Sequence, residues 1–155
     1  MDKEEIHKAI IDFLDLIEKG KGSVEANEQS LVLALDQLAL AYHFSEQEFD
    51  EREYPEPPNK DYQQIRAIVT QRFPNYGYYN LPKEITNKIS ETGIMVGDAI
   101  DDITHIAQDI QEIRWRWDNT SNLDALWHFR LGYYSHWGNH LRELQFYLYA
   151  RDYEG

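Results

Sequence analysis

The sequence predicts an all-α fold: a single-domain bundle of about five helices over residues 1–155, with a long acidic, proline-containing loop. Three observations carry that expectation. Apolar residues recur at three- and four-residue spacing through most of the chain, and no segment alternates apolar and polar residues as a half-buried strand does. There is also no internal repeat or Gly/Ser linker, and 155 residues are enough to bury one sizeable core.

Element by element, Ile6, Ala9, Ile10, Phe13, Leu14, Leu16 and Ile17 predict an amphipathic helix from Lys3 to Lys19, ended by Gly20 and Gly22. The next helix, roughly Glu25 to Phe44, is apolar on nearly every side, which places it in the middle of the bundle. Residues 45–61 hold three prolines and no periodic apolar face, so they read as an extended loop. Asp61 is the natural cap of a helix from Tyr62 to Phe73, stopped by Pro74. The stretch from Pro74 to Pro82 reads as an aromatic turn packed on the body, with a short helix after it. Val96, Ile100, Ile103, Ala107, Ile110 and Ile113 make one apolar stripe on a helix from about Ile94 to Trp117. Ser121 or Asn122 caps a last long helix, roughly Leu123 to Tyr149.

Four separated runs in this order are similar to a known family. They are the run from Tyr54 to Tyr62 containing Pro-Glu-Pro-Pro, Arg72-Phe-Pro-Asn-Tyr-Gly-Tyr-Tyr, the run from Asp101 to Ile110 containing Asp-Asp-Ile-Thr-His, and Ala125-Leu-Trp-His-Phe-Arg followed by Ser135-His-Trp-Gly-Asn-His. They resemble the bacterial family called domain of unknown function 5063, over most of the chain. The resemblance implies a bacterial, cytoplasmic, single-domain protein and carries no activity or site residue with it.

Composition excludes several functions. The absence of cysteine removes disulfides, thiolate zinc sites and cysteine nucleophiles, and makes the cytoplasm the default location. The N-terminal Met-Asp-Lys-Glu-Glu does not read as a signal peptide, and no apolar run approaches the roughly 18 residues of a membrane span. A formal charge of −13 repels phosphate backbones, so a basic protein is a better partner than nucleic acid or membrane. No phosphate loop, dinucleotide fingerprint or nucleophile elbow is present. Core packing accounts for Trp115, Trp117, Trp127 and Trp137 at their helical spacings.

The charge is concentrated. Residues 45–61 and 91–113 together carry −11, and no Lys or Arg lies between Ile89 and Ile113. Asp98, Asp102, His105, Asp109 and Glu112 follow one another at i+3 and i+4, with Asp101 beside them, opposite the isoleucines. Such a line is a polar outer face, a surface for docking a basic partner, or a metal site built from Asp102, His105 and Asp109. With Glu48, Asp50, Glu51 and Glu53 of the loop it makes a negative surface. The expectation is therefore a non-catalytic binding protein that needs no cofactor, in concrete form an inhibitor or immunity protein of a basic toxin or nuclease.

The alternative is a metal-binding bundle, with a hydrolase as its active form. His136 and His140 are four apart on one helix and can share a divalent ion. Trp137 stands where a zinc peptidase of that pattern carries its Glu, so peptidase chemistry of that kind is disfavoured. The same histidines also read as structural, each donating an N–H to a carbonyl or carboxylate at the margin of the core. Arg130 shares a side with Leu126 and Trp137, and Asp36 and His43 share a face of the second helix. A buried Asp36, His43 and Arg130 network is expected from that, fixing helix register.

Overall fold

The first helix, α1 (Lys3–Lys19), starts at a reciprocal capping box: the Asp2 side chain accepts from the Glu5 amide while the Glu5 carboxylate accepts from the Asp2 amide. In this computed structural model, which describes residues 1–155, its apolar stripe is wholly buried. Gly20, at φ 73°, ends the helix in a conformation that disfavours side chains. Arg72 then donates to the carbonyls of Ile17 and Glu18 at 2.9 and 2.5 Å, satisfying acceptors that a helix end leaves open.

Helix α2 (Val24–His43) packs mainly on α1 and on the C-terminal helix. One side remains in solvent, with Val32, Leu33 and Leu40 exposed, so it is not the central helix its composition suggests. Helix α3 (Tyr62–Arg72) begins at Asp61 as expected, the carboxylate accepting from the Gln64 amide at 3.1 Å. The segment after Pro74 departs from the sequence reading: β1 (Tyr78–Pro82) and β2 (Ile94–Asp98) form an antiparallel hairpin, with Tyr79 opposite Gly97 and Asn80 opposite Val96. A Cβ on Gly97 would come within 2.4 Å of the Tyr79 ring. Glycine there lets that ring lie across the strand.

Helix α4 (Ala99–Asn119) therefore starts five residues later than its apolar stripe suggests, at the Asp98 cap. Helix α5 (Asn122–Gly132), capped by Ser121, runs into a single π-helical turn (Tyr133–Trp137) and then into α6 (Gly138–Glu154). Counted as one interrupted rod, this makes five helices plus the hairpin. All of the helices contribute to one cluster of buried apolar residues, in which Phe13, Leu35, Ile103, Phe129, Trp137 and Leu144 are fully enclosed. No helix is long and apolar enough to cross a membrane.

The buried Asp36, His43 and Arg130 network does not form. Asp36 and His43 are exposed, and Asp36 accepts from Gln145 at 3.0 Å. Arg130 donates to the Tyr42 carbonyl at 3.0 Å and lies over the Tyr42 ring at 4.7 Å. The π-turn sits between Arg130 and the rest of the last helix, so a continuous 3.6-residue wheel gives the wrong phase there.

Residues 45–61 contain no helix or strand. Asp50 is buried rather than presented to a partner. It accepts from Arg52 at 2.8 Å, Tyr54 at 2.6 Å and Ser121 at 2.5 Å, tying the segment to the start of α5. Arg52 first, then Ser121 and Tyr54, hold its carboxyl far below the usual carboxylate range. A depressed folded value stabilises fully above the ordinary carboxylate pKa, about 4, and the contribution is lost progressively as pH falls from there through the depressed value. Emission of Trp127, whose ring meets Phe49 at 4.9 Å, should thus stay constant from neutrality down to about pH 4. Asp50→Asn should release the segment at neutral pH and speed tryptic cleavage after Arg52 several-fold; equal cleavage rates would show that Asp50 does not anchor it.

Candidate metal centre

The acidic line of α4 points inward as well as outward, and α6 places its two histidines against it. Asp102 is 3% exposed. One of its oxygens lies 2.8 Å from Nδ1 of His140 and the other accepts from the Tyr79 hydroxyl. Asp109 lies 2.6 Å from Nδ1 of His136 and accepts from the Lys60 ammonium at 3.0 Å. Asp101 accepts from the Tyr62 hydroxyl and stands 3.2 Å from Nε2 of His105. Asp98 is held as the helix cap, accepting from the Ile100 amide at 3.0 Å, and pairs with Arg66 at 2.9 Å. Glu112 pairs with Arg116 at 3.1 Å and Lys60 at 3.4 Å.

The cations missing from residues 89–113 are thus supplied from elsewhere, by Lys60 before α3, Arg66 on α3 and Arg116 further along α4. Reading α4 as a free negative surface overlooks these partners. In the loop, Glu48, Glu51 and Glu53 are exposed.

Three imidazoles converge in the middle of this arrangement. The ring centroids of His105 and His140 are 4.5 Å apart and nearly parallel; His136 stands edge-on to both, at 4.9 and 5.0 Å. One candidate ligand atom from each of the three falls within 4.8 Å of the others, and Asp101, Asp102 and His140 form a second such group. Nδ1 of His105 is buried without a hydrogen-bond partner. Burial pushes the His105 imidazole down, towards the neutral form that a metal ion needs. For His140 burial opposes the charged form, but the Asp102 contact outweighs it and the net shift is upward. Burial first, and the neighbouring carboxylates second, push the Tyr62 and Tyr79 phenols up, so both remain protonated donors.

Carboxylates on Nδ1 of His136 and His140 fix those rings and leave Nε2 for an ion, the relation that orients histidine ligands in metal proteins. The sequence marks the three histidines and the three aspartates by spacing. It gives no local sign of Lys60, Tyr62, Arg66 or Tyr79, which arrive from 23 or more residues away. The π-turn that carries His136 also lacks a periodic signal, although such turns are frequent at functional sites.

Fold and site define a mostly helical bundle with a small antiparallel hairpin and a histidine–carboxylate cluster between α4 and α6. Residues 2–152 match the profile of the family described as Domain of unknown function (DUF5063), and the chain belongs to that family. No curated protein matches it. Among solved structures, the crystal structure of protein BF1032 from Bacteroides fragilis superposes with a TM-score of 0.71 at 17% identity, covering 99% of this chain and 90% of that one. The two share a fold.

Proposed function

We propose that this protein binds one divalent transition-metal ion, zinc foremost, through His105, His136 and His140, with Asp102 and Asp109 orienting the latter two. The observation that carries the reading is the convergence of three imidazoles, two of them already held by carboxylates at Nδ1. Imidazole nitrogen suits zinc, and three histidines are the ligand set of zinc sites that keep one position open, where bound water is acidified to a pKa of about 7. His136 keeps 40% of its side-chain surface exposed, so the cluster reaches solvent. That favours a hydrolytic use over a closed structural one.

Docking of a basic partner finds less support. Asp98, Asp101, Asp102, Asp109 and Glu112 are all engaged within the chain, and Asp50 is buried. Elemental analysis of tag-free protein prepared without chelator is expected to find about one equivalent of zinc or a related metal. For stripped protein, zinc at a hundredfold excess over its dissociation constant should add about 2.7 kcal/mol, a rise in melting temperature of about 5–10 °C. Absence of metal together with an unmoved melting temperature would overturn the proposal.

A further inference from the structure

A cleft of about 470 Å³, lined by none of the histidines, lies between the Pro57–Asp61 segment, α3 and the Gln108 to Asn119 face of α4. Its volume is that of a small-ligand site. Two of its residues are unexplained by the fold. Gln108 lines the cleft with most of its surface buried, 8% being exposed, and no hydrogen bond within the chain holds its carboxamide. An amide not tied up within the chain keeps two donors and an acceptor free for a ligand or water. Trp115 lines the same cleft half-buried. The other tryptophans are each engaged: Trp117 stacks on His7 at 4.6 Å, Trp127 meets Phe49, and Trp137 fills the core and donates to the Phe129 carbonyl at 3.0 Å. Trp115 has neither a ring partner nor an acceptor for its indole N–H, and core packing does not account for it.

The lining, which also carries the carboxylates of Glu18, Asp61, Glu112 and Asp118, narrows the ligand. Its cations are taken, Arg114 by Glu18 at 2.7 Å and Lys60 by Asp109 and Glu112, so a phosphorylated ligand finds no free positive charge. Besides Trp115, only Ile65 and Ile68 are strongly apolar, too little for an apolar ligand. Gln64, Gln108 and Gln111 each offer both donors and an acceptor, the complement of hydroxyl groups, and an aromatic face accommodates the C–H side of a sugar ring. We infer that this cleft binds an uncharged carbohydrate, its ring against Trp115 and its hydroxyls on Gln108 and Gln111. This site is independent of the metal reading.

The test adds millimolar chitotriose, cellotriose, maltotriose or mannotriose to the full chain and follows the Trp115 indole N–H resonance, assigned with Trp115→Phe, together with saturation transfer to the sugar. At least one trisaccharide should shift that resonance, and Gln108→Ala should weaken the binding about tenfold or more. Trp115→Ala should do the same with its circular dichroism unchanged. The inference is overturned if none of the four sugars moves the resonance, if the variants bind as the wild type does, or if only spermine or a phosphorylated sugar binds.

Discussion

Asp102→Ala should lower stability by about 2–6 kcal/mol, because two donors in a buried place are left without their acceptor at about 1–3 kcal/mol each. Two donors lose their acceptor together, the Tyr79 hydroxyl and the His140 ring, in a place where Asp102 itself is 3% exposed. The value falls near the lower end, since 18% of the His140 side chain still reaches solvent. A loss of about 3 kcal/mol in a chain of this length lowers the melting temperature by about 6–12 °C. Asp102→Asn keeps the volume and one acceptor oxygen and should lose less than half as much. Thermal denaturation of the metal-free proteins measures both. If Asp102→Ala melts within a degree or two of the wild type, the carboxylate is not the anchor between α4, α6 and the hairpin.

Gly138→Ala should destabilise by about 1–3 kcal/mol and also disturb the histidines. A Cβ there would stand 2.3 Å from the Tyr133 carbonyl oxygen, which is backbone and cannot swing aside. That oxygen accepts from the Gly138 amide, closing the five-residue π ring. Expelling the extra residue would turn the chain after it by about 100° and take Leu141, Leu144 and Leu148 out of the core. The helix therefore strains instead of slipping, and the strain falls between His136 and His140. The melting temperature should drop by about 2–12 °C and zinc affinity about tenfold or more. Gly132→Ala is the control. Its Cβ would meet the core-locked Trp137 ring at 2.9 Å and no backbone atom, so stability should fall comparably while zinc affinity is nearly kept.

How far the sequence reveals this structure differs between elements for physical reasons. Helix α1 is legible to the residue because its stripe, its cap and Gly20 agree. The start of α4 is not, because Ile94 and Val96 continue the spacing of the isoleucines although both are exposed in a strand. Asp98, a carboxylate directly before the helix, was the competing signal, and capping decides the boundary. For α2, apolar composition says that a helix can be buried on all sides; whether neighbours cover it depends on how many helices remain to pack, and here one side stays open.

The candidate site was half legible. Spacing along α4 and the pair on α6 name its histidines and aspartates, since both follow from 3.6-residue geometry alone. That the two lines face each other, with Asp102 and Asp109 meeting His140 and His136, is a property of helix packing and of the π-turn. The charge-rich face read as exposed is in part an internal one, balanced by Lys60, Arg66 and Arg116.

The central claim is that three imidazoles form one metal site, and calorimetric titration of zinc into stripped, tag-free protein tests it most directly. The wild type should take up one ion per chain, and His105→Ala, His136→Ala and His140→Ala should each weaken uptake about tenfold or more, with His7→Ala unchanged. Wild-type protein that takes up no zinc, or three variants that bind it as well as the wild type does, would contradict the account.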